Sequence, residues 1–309
     1  MIVAFASAND NFDRWAPSFQ RLMPEIEWRI DPDLGDPAEI EAALVWRPAP
    51  GWLAKLPNLK LIVSQGAGVD HILSDPLAPR HVPIVRLVDP YMTRSMAEYV
   101  TFQVLRLHLG EPELRRQQQD RVWRQPAIPV AAERRIGILG LGELGAASAA
   151  ALVGLGFDVA GWSRSPKTIA NVASFSGRDA YPDFLARTEI LVCLLPLTEA
   201  TRGILGSATF DRLPRGAGIV NAGRGGHLVE ADLLAALADG RVGEAVLDVF
   251  ETEPLPADHA FWTHPRIVVT PHIAAISNPA TAAEAIVANL RRLAAGAPLA
   301  DQVDPAAGY

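Results

Sequence analysis

Residues Arg135–Lys167 read RIGILGLGELGAASAAALVGLGFDVAGWSRSPK, and the change of period inside this stretch decides the fold. Ile136, Ile138 and Leu139 form a short apolar run that meets Gly140, Gly142 and Gly145. The Ala-rich segment from Ala146 to Val153 then has helical composition, and Phe157 to Trp162 returns to a strand pattern. Strand, glycine turn, helix, strand is one βαβ unit. In such a unit Gly140 makes the tight turn, Gly142 lets a pyrophosphate approach the backbone, and Gly145 lets the helix pack closely on the strand. The phosphates rest on the helix N-terminus, where Glu143 and Leu144 stand. A GxGxxG string is weak by itself; the strand before it and the helix after it make this one a dinucleotide site.

The end of the second strand separates one dinucleotide from the other. An Asp or Glu about 20 residues beyond the glycines would hold a ribose 2′-hydroxyl. Here stand Trp162, Ser163, Arg164, Ser165, Pro166 and Lys167 instead. Two hydroxyls and two cations suit a 2′-phosphate, which a guanidinium grips bidentately and a carboxylate would repel. NADP(H) is therefore the expected cofactor, with NAD as the alternative. A solvated loop tip is the other reading of Arg164 and Lys167.

The 309 residues hold two domains of ordinary size, and a hydrophobic share of 49% supplies their cores. A formal net charge of -7 argues against a nucleic-acid or anionic-membrane surface. The single cysteine, Cys193, lies in the apolar run Ile190 to Leu195, so it has no internal disulfide partner and reads as a small buried hydrophobe. A reducing cytoplasm fits this usage. The N-terminus has no basic n-region of a signal peptide, no apolar run approaches the ~18 residues of a bilayer span, and no metal-type His/Cys spacing occurs.

From Ile2 to Arg86, short β-rich runs (Ile2–Ala6, Ile26–Ile30, Ala42–Trp46, Leu59–Ser64, Ile84–Leu87) alternate with segments of helical character. That alternation predicts a parallel sheet covered by helices. The fourth run enters Gln65-Gly66-Ala67-Gly68-Val69-Asp70-His71, where small residues form either a nest of amides for a carboxylate or a plain turn. The second half of Asp89 to Leu109 carries a strong helix pattern with Thr93 or Ser95 as its cap; Gly110 and Pro112 stop it, and a polar run follows through Arg124 as the crossover between domains. After Lys167 the pattern continues with a helix at Pro182–Arg187, strand Ile190–Leu195, helical segments around Thr201 and Ala208, and strand Gly218–Asn221. A helix at Glu230–Ala238 and strands Glu244–Val249 and Ile267–Thr270 follow. The amphipathic last helix, Pro279–Ala295, returns to the first domain, giving 1–95 with 277–309 as one discontinuous domain and 96–276 as the dinucleotide-binding domain.

Ligands of open α/β sheets collect outside the carboxyl ends of strands, so four loops are expected around one crevice: Leu195 to Thr198, Asn221 to Gly226, Asp248 to Pro254, and Pro271 to Ala274. The last three of these loops each carry a reactive group: Arg224, Glu253 and His272. Reduction of a keto acid needs a cation for the carboxylate, an acid for the developing alkoxide, and a group that keeps that acid protonated. Arg, His and Glu match those needs in order. Each has a duller reading: phosphate binding for Arg224, turn capping for Glu253, and for His272 a satisfied loop histidine like His71 or His227.

The run from Gly137 to Ala275, with GILGLGELG, CLLPLTEATRGIL, LPRGAGIVNAGRGG, LDVFETEPLP and TPHIAA, closely resembles the D-2-hydroxyacid dehydrogenase family. GAGVDHI and Trp46-Arg47 look like its glyoxylate and hydroxypyruvate reductase branch. The resemblance implies an α/β protein of two Rossmann-like domains, an NAD(P)-binding Rossmann domain and a flavodoxin-like substrate domain, with the active site in the cleft between them and usually a homodimer. It implies that Arg224 binds and polarises the 2-keto acid, that His272 is the proton donor, and that Glu253 is its carboxylate partner. It further places Asp248 on the nicotinamide carboxamide, Leu195, Pro196, Thr198, Ala222, Gly223, Arg224, His272 and Ala274 along the cofactor, and the amides near Ala67 and Gly68 on the substrate carboxylate. Trp46 and Tyr91 close a small pocket, with Arg224 and His272 also on the substrate. The family's usual acid after the second strand is missing, in agreement with NADP(H). The expected activity is NADPH-dependent reduction of glyoxylate, hydroxypyruvate or a similar short 2-keto acid to the D-hydroxy acid. The alternatives are an NAD-dependent dehydrogenase of a bulkier hydroxy acid, and a dinucleotide-sensing protein without turnover.

Overall fold

The computed structural model describes residues 1–308. The chain divides into two compact units, Met1–Met92 with the segment from Ser277 onward, and Thr93–Ile276. The first unit runs β1 (Ile2–Ser7), α1 (Ala16–Leu22), β2 (Glu27–Ile30), β3 (Ala42–Trp46), β4 (Leu61–Ser64), α2 (Asp70–Leu73) and β5 (Ile84–Val85). These strands pair in parallel in the order β2-β1-β3-β4-β5, the flavodoxin-like arrangement. All four residues of β4 are buried, as the near-continuous apolar runs of a sheet covered on both faces require.

Helix α3 (Pro90–His108) crosses the division at Met92/Thr93. Its start is not capped by Thr93 or Ser95 as the sequence suggested. The Asp89 carboxylate accepts the Tyr91 N–H at 3.2 Å, Pro90 occupies the first turn, and the Ser95 hydroxyl donates to the Ala274 carbonyl at 3.2 Å. The polar run after Gly110, expected as the crossover between domains, folds as α4 (Glu111–Asp120). Pro112 falls in the first turn, where no N–H is needed, and the pairs Glu111–Arg115 and Glu113–Arg116 lie four and three residues apart on one helix.

The second unit continues with β6 (Arg135–Leu139), α5 (Glu143–Gly154), β7 (Asp158–Ser163), β8 (Val172–Ser176), α6 (Tyr181–Arg187) and β9 (Ile190–Cys193). It is completed by α7 (Ser207–Phe210), β10 (Ala217–Asn221), α8 (Glu230–Ala238), β11 (Val242–Leu247) and β12 (Ile267–Val269). The strands form one parallel sheet in the order β12-β11-β10-β9-β6-β7-β8. Alternate residues serve its two faces: Leu191, Cys193, Ile219 and Ala245 enter one core, and Ile190, Val192, Val220 and Val246 the other. Cys193 is fully buried, and burial pushes its thiol up to about 12. Strand β8 was not foreseen, because it is an edge strand with exposed Ala173 and Ser174 and so lacks an apolar run. No helix forms around Thr201; that segment is a turn in which the Thr201 hydroxyl donates to the Pro196 carbonyl at 2.7 Å. Helix α9 (Pro279–Ala294), capped by Asn278, buries Ala283, Ile286, Val287 and Leu290 in the first unit and lies against α1, where Arg291 donates to the Leu22 carbonyl at 2.6 Å.

One buried ion pair fastens α3 to the sheet of the second unit: Arg106 donates to Glu244 on β11 and also to Glu111, the latter at 2.9 Å. Burial raises the Glu244 carboxyl and Arg106 pulls it back. Removing one partner of a buried pair leaves an uncompensated charge, so Arg106→Met is expected to cost about 3 kcal/mol of stability at neutral pH. Burial holds Glu244 above the ordinary glutamate value even beside Arg106, and loss of the arginine raises it further, so the deficit grows as pH rises from about 4 toward that higher value and shrinks below about pH 4. Denaturant unfolding at both pH values reads this; an equal deficit at each would contradict it.

Candidate active site

Because every strand of the second unit points the same way, the turns after β6, β9, β10, β11 and β12 line one edge of the sheet in spatial order. Between β9 and β6 the strand order reverses, the place where α/β sheets open a crevice. The turn after β6 is built for close approach. Gly140 has φ +97°, and a Cβ there would lie 2.8 Å from the Leu194 carbonyl oxygen. A Cβ on Gly145 would come within 1.8 Å of the Gly140 oxygen, so the helix can seat on the turn only with glycine there. A Cβ on Gly142 would meet no protein atom within 4 Å. Gly142 and Glu143 are exposed, Leu144 is half-buried, and α5 begins directly behind them. An open glycine at the N-terminus of a twelve-residue helix fits a pyrophosphate.

At the end of β7, Ser163 is buried and its hydroxyl donates to the Ser165 carbonyl at 2.7 Å, shaping the turn. Arg164, Ser165 and Lys167 are exposed on that turn, and no carboxylate occupies the end of the strand. Leu195 is buried, Pro196 and Thr198 are half-buried, and they follow β9 beside the Gly140 turn, held there by the Leu194 N–H on the Leu139 carbonyl at 2.8 Å. Ala222 and Gly223 are buried at the end of β10.

Arg224 follows them and is half-buried; its Nη1 donates to the Gly223 carbonyl at 2.8 Å, and its own carbonyl accepts Asn221 Nδ2 at 3.1 Å. The next residue brings this loop to the one after β11. A Cβ on Gly225 would lie 1.9 Å from the Phe250 carbonyl carbon and 2.1 Å from the Glu251 nitrogen, so the two backbones touch where only glycine fits. Three residues on, Glu253 accepts the Phe250 N–H through Oε1 at 3.0 Å and meets His272 Nδ1 through Oε2 at 2.8 Å. The structure thus joins Glu253 directly to His272 and sets Arg224 against the turn that carries Glu253.

Asp248 turns out to be the organiser of this edge. Its side chain is 1% exposed and accepts three hydrogen bonds: the Thr270 hydroxyl at 2.6 Å, the Ile273 N–H at 3.0 Å and the buried Ala274 N–H at 2.9 Å. Its backbone carbonyl accepts the His272 N–H at 2.9 Å. His272 sits between these anchors with φ +55°, a left-handed conformation uncommon outside glycine that the surrounding bonds sustain. Since Thr270 gives its one hydroxyl proton to Asp248, Tyr99 on α3 donates to Thr270 at 2.7 Å. Burial pushes the Tyr99 phenol far up, and the charge on Asp248 adds to this. The family resemblance implied a cofactor role for Asp248, and no sequence pattern signalled Tyr99, Thr270, Asn221 or the close approach at Gly225.

In the first unit, Trp46 ends β3, and its ring lies over Gly66, where a Cβ would come within 2.5 Å of it. The Ser64 hydroxyl donates to the Gly68 carbonyl at 2.9 Å, closing the turn on which Ala67 and Gly68 are half-buried; Tyr91 is 45% exposed.

The model of the D-isomer specific 2-hydroxyacid dehydrogenase NAD-binding domain matches residues 102–274. The chain belongs to this family. A glyoxylate/hydroxypyruvate reductase A of Yersinia enterocolitica is 43% identical over 305 residues, covering 96% of each chain. A solved D-isomer specific 2-hydroxyacid dehydrogenase from Xanthobacter autotrophicus Py2, in complex with NADPH and MES, is 46% identical with a TM-score of 0.95, over 100% of this chain and 99% of that one. An NADPH-dependent glyoxylate/hydroxypyruvate reductase from Sinorhizobium meliloti, with NADP and sulfate, is 38% identical with a TM-score of 0.94 over the same shares. As a 2-hydroxyacid dehydrogenase, the chain has the two parallel-sheet α/β domains described above.

The two glycines separate folding from binding. Gly145→Ala forces backbone apart and is expected to cost about 3 kcal/mol or more of stability, whereas Gly142→Ala should melt like the parent and bind dinucleotide at least tenfold more weakly. Thermal melting with fluorescence titration checks this; an unstable Gly142→Ala or a stable Gly145→Ala would contradict the assignment.

Proposed function

We propose that this dehydrogenase reduces small 2-keto acids, glyoxylate and hydroxypyruvate among them, to D-2-hydroxy acids with NADPH. The observation that carries the reading is the 2.8 Å bond from Glu253 to His272 Nδ1, set on the same sheet edge as Arg224 and the open Gly142 turn. The names of the Yersinia and Sinorhizobium relatives agree with it. When bound, the reduced nicotinamide supplies the hydride for the keto carbon. His272, oriented through Nδ1 by Glu253, holds the proton for the keto oxygen at Nε2. Arg224 pairs with the carboxylate and polarises the carbonyl. The amides of Ala67 and Gly68 are assigned to the substrate carboxylate, and Trp46 and Tyr91 to the selection of short acids.

Cofactor contacts are assigned to Gly140, Gly142, Glu143, Leu144 and Gly145 at the pyrophosphate, and to Leu195, Pro196, Thr198, Ala222, Gly223, Asp248 and Ala274 along the ribose and nicotinamide. Ser163, Arg164, Ser165 and Lys167 surround the 2′-phosphate, because an exposed guanidinium and ammonium at the end of β7 favour NADP(H) over NAD(H). A cytoplasmic homodimer completes the reading. The second unit exposes apolar side chains suited to a partner copy, among them Phe102, Val122, Val130 and Trp123, the last 98% exposed.

NADPH consumption followed by absorbance with glyoxylate and hydroxypyruvate tests the activity; a protein that consumes none with either acid would refute it. His272→Ala should lower kcat by roughly 10²- to 10⁴-fold with NADPH affinity within about threefold, as expected for loss of a proton donor. Arg164→Asp should lower kcat/KM for NADPH at least tenfold and leave that for NADH nearly unchanged, about what loss of one charge-assisted phosphate contact costs. An unchanged NADPH preference would remove Arg164 from the 2′-phosphate site.

A further inference from the structure

His227 is wholly buried at the end of the short 3-10 turn Gly225–His227, yet its ring meets polar partners on both sides. The backbone N–H of Arg224 donates to Nδ1 at 3.1 Å, and Nε2 lies 3.3 Å from the Pro196 carbonyl oxygen. A peptide N–H can only donate, so Nδ1 is bare; a carbonyl can only accept, so the ring proton is on Nε2. Both contacts therefore fix one neutral tautomer. The ring is also held sterically: a Cβ on Gly223 would stand 3.0 Å from Nδ1 and 3.1 Å from the Leu195 carbonyl. The backbone of His227 is anchored in turn, its carbonyl accepting the Leu205 N–H at 2.8 Å.

With Asn221 on its carbonyl, Arg224 has both flanking peptide groups clamped by buried side chains. Pro196 also receives the Thr201 hydroxyl, and Thr201 in turn accepts the Thr198 N–H at 2.8 Å. One imidazole thus joins the loop after β10 to the loop after β9.

We infer that His227, as the neutral Nε2–H tautomer, is a positioning residue that fixes Arg224 for the keto acid and locks it to the Leu195–Thr198 loop. The inference rests on Arg224 gripping the keto acid, as proposed above. His227 touches neither reactant in this account; it acts through the peptide it holds.

Two substitutions divide its bonds. In His227→Asn the amide oxygen replaces Nδ1 and keeps the Arg224 clamp, while in His227→Gln the amide nitrogen replaces Nε2 and keeps the Pro196 bond. An orphaned buried donor weakens what it positions by roughly tenfold or more. His227→Gln should therefore raise KM for glyoxylate about tenfold with NADPH affinity within about threefold, and His227→Asn should leave that KM within about threefold. A purely space-filling ring would make the two variants alike; equal KM values, or a milder His227→Gln, overturn the proposal. Nitrogen-15 NMR of the histidine-labelled wild-type protein, with His227→Phe for assignment, reads the tautomer without turnover. A bare Nδ1 with a protonated Nε2 supports the inference, and a protonated Nδ1 overturns it. Wild-type protein inert toward keto acids would instead refute the reading on which the inference rests.

Discussion

A single buried carboxylate shapes the loop edge of the second unit's sheet. Asp248 lies at the end of β11 with 1% of its surface exposed, a position that costs several kcal/mol unless the charge is bonded. Its bonds go to one short segment, Thr270–Ala274, whose amides and hydroxyl converge on it. That convergence bends the chain so that His272 adopts a left-handed backbone and turns its ring to Glu253. The Tyr99–Thr270 bond extends the same network into α3. The strain at His272 and the desolvation of Asp248 are thus two sides of one arrangement, each sustained by the other.

Arg224 is held by a different device. There the chain uses close backbone approach, glycine against the Phe250–Glu251 peptide, and two buried side chains on the peptides flanking the arginine. The rigid parallel sheet supplies position along its edge, and these local clamps supply orientation. A flexible, charged side chain on a fixed backbone keeps reach while losing less entropy on binding. The glycine turn after β6 follows the same logic, with Gly145 spent on packing and Gly142 left open.

The parallel strands were legible because a strand buried on both faces must be an apolar run, as at Ile190–Leu195 and Gly218–Asn221. β8 was not, since its outer residues face solvent. The polar run that holds α4 showed only a crossover between domains, because charge pairs, not an apolar stripe, support the helix. Arg224, Glu253 and His272 could be picked out by residue type and by their place after strands. The groups that orient them could not. Asp248 reaches residues 25 and 26 positions away, and Tyr99 reaches Thr270 across 171, pairings that no local period encodes. His227 looked like any loop histidine until its two opposed partners were seen. Its only local trace is the Gly223 that makes room for the ring.

The claim that Asp248 holds the His272 turn is tested most directly by amide hydrogen exchange at Ile273 and Ala274 in wild-type protein and in Asp248→Asn. At least one of these two amides is expected to exchange at least tenfold faster in the variant, because an Asn side chain has one acceptor oxygen where the carboxylate uses one for Ile273 and the other for Ala274, while amides of β10 keep their protection. Unchanged protection at Ile273 and Ala274 in a folded Asp248→Asn protein would contradict it.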